Sequence, residues 1–96
     1  MIIAQLSIAP IGEGTGVSKY VKASIEALKR KACRAEPTAM CTVFEAKTLD
    51  EILEALKEAH NAVFKLGAKR VITHLVIDDR KDKEASIESK LSAIMK

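Results

Sequence analysis

The sequence predicts an α+β sandwich, and three observations carry that prediction. Residues Ile2 to Ala9 alternate, with Ile2, Ala4, Leu6 and Ile8 on one face and Ile3, Gln5, Ser7 and Ala9 on the other. Val71 to Asp78 is the most strand-like segment in the chain. Helical periodicity separates and follows the extended segments, so the order reads β-α-β-β-α-β-α. That order is the split βαβ, or ferredoxin-like, βαββαβ sandwich, here with an extra C-terminal helix.

Each element has a local cause. Pro10 to Gly16 is a glycine-bearing loop. Val17 to Ala32 is helical, with Val17, Val21, Ile25, Leu28 and Ala32 forming the expected buried stripe. Arg34 to Thr38 and Thr42 to Lys47 read as two strands joined by a tight connection. Thr48 opens the next helix as its N-cap, with Glu51 completing a capping box. Leu49, Ile52, Leu53, Leu56, Ala59 and Val63 form its expected apolar stripe, and Gly67 ends it. After a charged loop over Asp79 to Lys83, Glu84 to Met95 reads as a third helix with Ile87, Leu91, Ile94 and Met95 on one side.

Ninety-six residues make one domain, 1–96. A chain that is 48% hydrophobic and 30% charged is globular rather than disordered. The net charge of +3 comes from interleaved acids and bases, which does not point to nucleic acid. No apolar run approaches membrane-spanning length. Met1-Ile2-Ile3 begins a strand at once, without a basic leader, so a cytoplasmic location is expected. Cys33 and Cys41 lack a metal spacing and read as small, reduced, buried hydrophobes.

The helices should cover one sheet face, against Ile2-Ala4-Leu6-Ile8 and Val71-Leu75-Ile77. The other face mixes Ile3, Ile72 and Val76 with Gln5, Ser7 and His74, too apolar to be fully wet and too polar for a core. A subunit interface is the simplest account.

The stretch Pro37 to Ala46 is unusually polar for a strand pair. Because side chains alternate, Thr42 and Glu45 face opposite sides. A ligand meets both only near a strand end or at a subunit boundary. The glycine loop Gly12-Glu13-Gly14-Thr15-Gly16 fits neither phosphate fingerprint and carries a repelling carboxylate. His60 and His74 have no evident metal or nucleophile partners, so an enzyme built on either is the least favoured reading. Fold alone decides nothing about function. RNA recognition lacks its aromatics: Tyr20, Phe44 and Phe64 are the aromatic residues. A copper chaperone's Cys-x-x-Cys is missing from the first loop, and an acylphosphatase's first-loop arginine and central-strand asparagine are missing as well.

The chain resembles the small thiamine-binding protein family (YkoF-like) over nearly its whole length. Met1 to Leu6 with Ile8 and Pro10 is similar to the family's opening, and Ser18-Lys19-Tyr20-Val21 to its first-helix start. Thr38, Met40, Thr42, Val43 and Glu45 match its central hairpin. Ala59-His60, Val63-Phe64, Leu66 to Val71, Thr73, Ile77-Asp78 and Arg80 match the second helix, its exit and the last strand. Ala39 stands in place of a usual proline and Cys41 of a common glycine; His74 and Val76 replace a small hydroxyl residue and a lysine. The resemblance implies no catalysis, no cofactor, and dimers or dimers of dimers that bind thiamine or a related heterocycle near subunit contacts. Glu45 is then the expected partner of the thiazolium cation. Gln5, Ser18, Thr38 and Thr42 would supply donors and acceptors to the aminopyrimidine, Met40 a soft wall, and Arg80 a contact at a strand end. The competing readings are Thr42 as a strand former, Glu45 paired with Lys47 or Arg34, and a structural or regulatory oligomer without a ligand.

Overall fold

The structure, a computed structural model, describes residues 1–95. Its elements are β1 (Ile2–Pro10), α1 (Ser18–Lys29), β2 (Arg34–Pro37), β3 (Thr42–Ala46), α2 (Leu49–Lys65), β4 (Val71–Asp78) and α3 (Ile87–Ile94). The four strands form one antiparallel sheet in the order β2-β3-β1-β4. The ferredoxin-like arrangement with an extra helix is therefore present.

Strand alternation decides the layers. Ile2, Ala4 and Leu6 of β1 join Phe44 and Ala46 of β3 in one core with Leu28 of α1 and Ile52, Ala55 and Ala59 of α2. Phe44, Leu28, Ile52 and Val63 are the largest fully buried side chains. Thr48 accepts from the Glu51 N–H at 3.1 Å, but the Glu51 carboxylate reaches the Lys47 N–H instead of closing the capping box. Gly67 follows the helix with φ of +104°, a conformation that costs glycine little.

Three expectations need correction. First, α1 is rotated about its axis: Tyr20, Ser24, Ala27 and Leu28 are buried, while Val21 is exposed. Small residues Ser24 and Ala27 on α1, with Ala55 and Ala59 on α2, let the helices approach closely, and that contact outweighs burying the bulkier valine. On α2, Leu49 and Leu53 likewise remain exposed while Ala55 is buried. Second, Cys33 is exposed and Cys41 half-buried, so neither is a core hydrophobe. Third, α3 starts at Ile87 because Ser86 and Ser89 close a reciprocal capping box. Leu91, Ile94 and Met95 are exposed there.

Nor do all the helices lie on one face. Arg34, Glu45, Ile3 and Asp78 form one cross-strand row on the face opposite the core. The Ile87 N–H donates to Glu45 at 2.8 Å, Glu88 pairs with Arg34, and Lys90 pairs with Asp78 at 2.7 Å. The first turn of α3 thus crosses the open face at one end and covers Ile3.

The core and the first loop each give a test. Phe44→Ala should destabilise the protein by about 3–5 kcal/mol in urea denaturation, from lost burial plus the cavity left behind. The Tyr20 hydroxyl donates to Glu13, which holds its proton above the ordinary tyrosine value of 10.0. A raised folded pKa contributes stability that is full below pH 10 and lost as pH rises through the folded value. Stability should therefore fall more steeply in that window for the wild type than for Tyr20→Phe, as measured by alkaline denaturation.

Candidate functional site

β1 is nine residues long and β3 five, so β1 outruns its neighbour. The last β1–β3 pair is Leu6 with Thr42, whereas β1 pairs with β4 as far as Pro10. Beyond Leu6 one side of β1 faces the β2–β3 connection and α1 instead of a strand. A cavity of about 110 Å³ occupies that notch. Leu6, Val21, Ser24, Met40, Cys41 and Thr42 are among its walls.

The connection is built by Thr38. Its backbone N–H and its hydroxyl both donate to the Cys41 carbonyl at 2.8 Å. The same hydroxyl accepts from the Cys41 N–H at 3.1 Å and the Met40 N–H at 3.3 Å. One proton and two lone pairs are thereby used. Thr38 folds the turn, and its hydroxyl has no capacity left for a ligand. The turn leaves Met40 as the most exposed large apolar side chain, 87% accessible at the cavity wall.

Thr42 differs. The residue is 7% exposed and lines the cavity, and its hydroxyl makes no hydrogen bond to another described residue. No side-chain polar atom sealed from solvent lacks a partner among the described residues, so this hydroxyl opens into the cavity and not into the core. Ser24, similarly buried, donates to the Val21 carbonyl at 2.7 Å and keeps its lone pairs for an acceptor role. The walls carry no charged side chain among the described residues. Ser24 is absent from the residues expected from sequence. Its signal is a hydroxyl four residues after Tyr20 and four before Leu28, on the stripe that tertiary packing selects.

The other expected residues are dispersed. Gln5 lies exposed on the open face between Val43 and Val76. Ser18 is exposed at the start of α1. Glu45 is buried on the opposite side of the sheet from the cavity, anchoring α3. Arg80 pairs with Asp82, 2.7 Å from Nε to the carboxylate, which holds the guanidinium proton tightly and pulls Asp82 below the usual carboxylate range. It lines a more open cleft of about 800 Å³ with Met1, Lys47 and Lys83, at the far end of β1 and roughly 17 Å from the notch by strand rise. Thr42, Met40 and the Thr38 turn are therefore brought together, and Gln5, Ser18, Glu45 and Arg80 are not. His60 hydrogen-bonds Thr73 at 2.7 Å under α2 and stacks edge-on with Phe64, a packing role. Among the described residues no cluster of His, Cys, Asp or Glu is placed to hold a metal, and no helix is long and apolar enough to cross a membrane.

The fold and the notch define a small α+β domain with a neutral, hydroxyl-bearing cavity beside its hairpin. The chain belongs to the thiamine-binding protein family, whose profile matches residues 4–95. The UPF0045 protein MJ1052 of Methanocaldococcus jannaschii is 52% identical over 93 residues, covering 97% of this chain and 91% of that one. The UPF0045 protein YqgV of Bacillus subtilis is 35% identical over 101 residues, covering 100% and 96%. The crystal structure of MJ1052 superposes with a TM-score of 0.90 over 98% of this chain and 95% of that one. A putative thiamine biosynthesis/salvage protein of Thermotoga maritima shares the fold at a TM-score of 0.80 and 24% identity, covering 97% of each chain.

Glu45→Ala should release the first turn of α3. Amide exchange at Ile87 should accelerate sharply, and stability should fall by about 1–3 kcal/mol, the cost of losing a hydrogen bond to a buried charged acceptor.

Proposed function

We propose that this protein is a non-enzymatic binder of thiamine or a related small heterocycle, held in the notch beside β1. The observation that carries this reading is the recessed Thr42 hydroxyl, which has no hydrogen-bond partner among the described residues and faces the cavity. Covering such a hydroxyl with an apolar group is costly, so the cavity selects a ligand that brings it a polar atom. Thr42 and Ser24 match an aminopyrimidine, which has donors and acceptors on a flat ring. Cys41 and Met40 give the soft walls such a ring prefers. Membership of the thiamine-binding family supports the ligand class.

The cavity is small for a whole ligand: about 110 Å³ against roughly 300–1,000 Å³ for typical small-molecule sites. It therefore takes the ring, and a second copy of the chain completes the site in a dimer or dimer of dimers. The exposed apolar residues Ile72, Val76, Leu91, Ile94 and Met95 support self-association. The same residues favour the second reading, a structural or regulatory oligomer that needs no ligand. A cytoplasmic location is part of the proposal.

Titration calorimetry with thiamine separates the two. Binding heat is expected for the wild type. Thr42→Val should weaken affinity about tenfold or more, the loss expected for one buried hydrogen bond. Glu45→Gln, which retains an acceptor for α3, should leave affinity unchanged. An intact oligomer silent to thiamine and to free aminopyrimidines would favour the ligand-free reading.

A further inference from the structure

The hydroxyl residues that wall the notch are not equivalent. Among the described residues they are Ser7, Ser24, Thr38 and Thr42. Thr38 spends its hydroxyl on its own turn. Ser7 alternates with Leu6, which points into the core, so its side chain lies on the open face. Ser24 and Thr42 remain, 6% and 7% exposed. Ser24 sits in the middle of the α1 face that meets the notch, between Val21 on one turn and Ile25 and Leu28 on the next. The two hydroxyls differ in where the proton goes. That of Thr42 has no hydrogen-bond partner among the described residues, so it turns to donate or to accept as a ligand requires. That of Ser24 is already given to the Val21 carbonyl at 2.7 Å. Swinging it toward a ligand would leave two oxygens 2.7 Å apart with no hydrogen between them. Ser24 therefore offers the notch lone pairs and no proton, and the ligand atom opposite it must carry a hydrogen.

We propose that Ser24 is the specificity-determining residue of the notch: it accepts from the exocyclic amine of an aminopyrimidine and rejects a ring that carries a carbonyl oxygen at the same position. This role presupposes the notch as the binding site and adds which ring the notch refuses. Thr42 supplies affinity without choice, because its free hydroxyl adapts to either ring. Ser24 supplies the choice. An oxopyrimidine reverses the edge it presents: its oxygen accepts where the amine donates, and the neighbouring ring nitrogen gains the hydrogen. A cavity of about 110 Å³ holds a ring too closely for it to slide by one atom and offer that N–H instead. Two acceptors would then face each other, buried and unpaired. Sites built around a hydrogen bond reject an analogue that cannot make it more strongly than apolar pockets reject a missing methylene. No charged side chain among the described residues lines the wall to offset the mismatch.

Titration calorimetry of the full chain with thiamine and with oxythiamine, which differ only in an amine against a carbonyl oxygen on the pyrimidine, tests the role. The wild type should bind thiamine about tenfold or more tightly than oxythiamine, the difference expected for one buried hydrogen bond. Ser24→Ala should bring that ratio close to one by weakening thiamine and leaving oxythiamine where it was. Alanine suits both a helix interior and the close α1–α2 contact, so the variant should fold. Thr42→Val should weaken both ligands by similar factors and keep the ratio. Equal affinities of the wild type for the two ligands overturn the role of Ser24 and leave the notch as the binding site. A preference for thiamine that survives Ser24→Ala overturns it as well. Silence toward both ligands removes the notch as the binding site, and the role of Ser24 with it.

Discussion

The mismatch in length between β1 and β3 is the constraint on which the rest of the candidate site depends. Nine residues of β1 face five of β3, so the sheet cannot be filled beyond the Leu6–Thr42 pair. The chain must turn back there, and Thr38 makes the turn by spending its whole hydrogen-bonding capacity on Met40 and Cys41. Because the turn is closed locally, the hydroxyl of the next threonine inward, Thr42, is left recessed at the cavity without a hydrogen-bond partner among the described residues. Packing of α1 through its small face then brings Ser24 to the same cavity. A polar ligand is the natural complement of such an arrangement.

Alternation along β3 imposes a second division. Thr42 and Phe44 point toward the helices, and Glu45 points away. Glu45 therefore serves α3, placing a carboxylate at a helix N-terminus where the aligned backbone dipoles favour negative charge. Ion pairs from Glu88 and Lys90 to the two ends of the same cross-strand row fix the direction of α3 across the open face. One short strand thus holds the cavity on one side and the C-terminal helix on the other.

Much of this was legible in the sequence because it is local. Period-two alternation assigned the faces of β1 and β4, and Thr48 and Gly67 marked the start and end of α2. The opposition of Thr42 and Glu45 was also readable, since it follows from strand geometry alone. What was not legible depends on distant partners. The rotation of α1 is set by its contact with α2, where alanine and serine permit an approach that Val21 would block. Glu45 meets Ile87 across 42 residues of chain, and no local pattern announces that contact. The resemblance assigned Glu45 and Arg80 to a ligand, but the structure engages one with a helix terminus and the other with Asp82. Thr38 sits at the expected place with a different task, and Ser24 was hidden by reading the apolar stripe one position away.

On this account the notch beside β1, rather than the glycine loop or the Arg80 cleft, receives the ligand. Amide chemical-shift mapping of the labelled protein during a thiamine titration tests that claim most directly. Saturable shifts are predicted at Ser24, Cys41 and Thr42, with the amides of Gly12 to Gly16 and of Arg80 unmoved. Shifts confined to Arg80, Lys81 and Lys83, with the Thr42 amide silent, would contradict it.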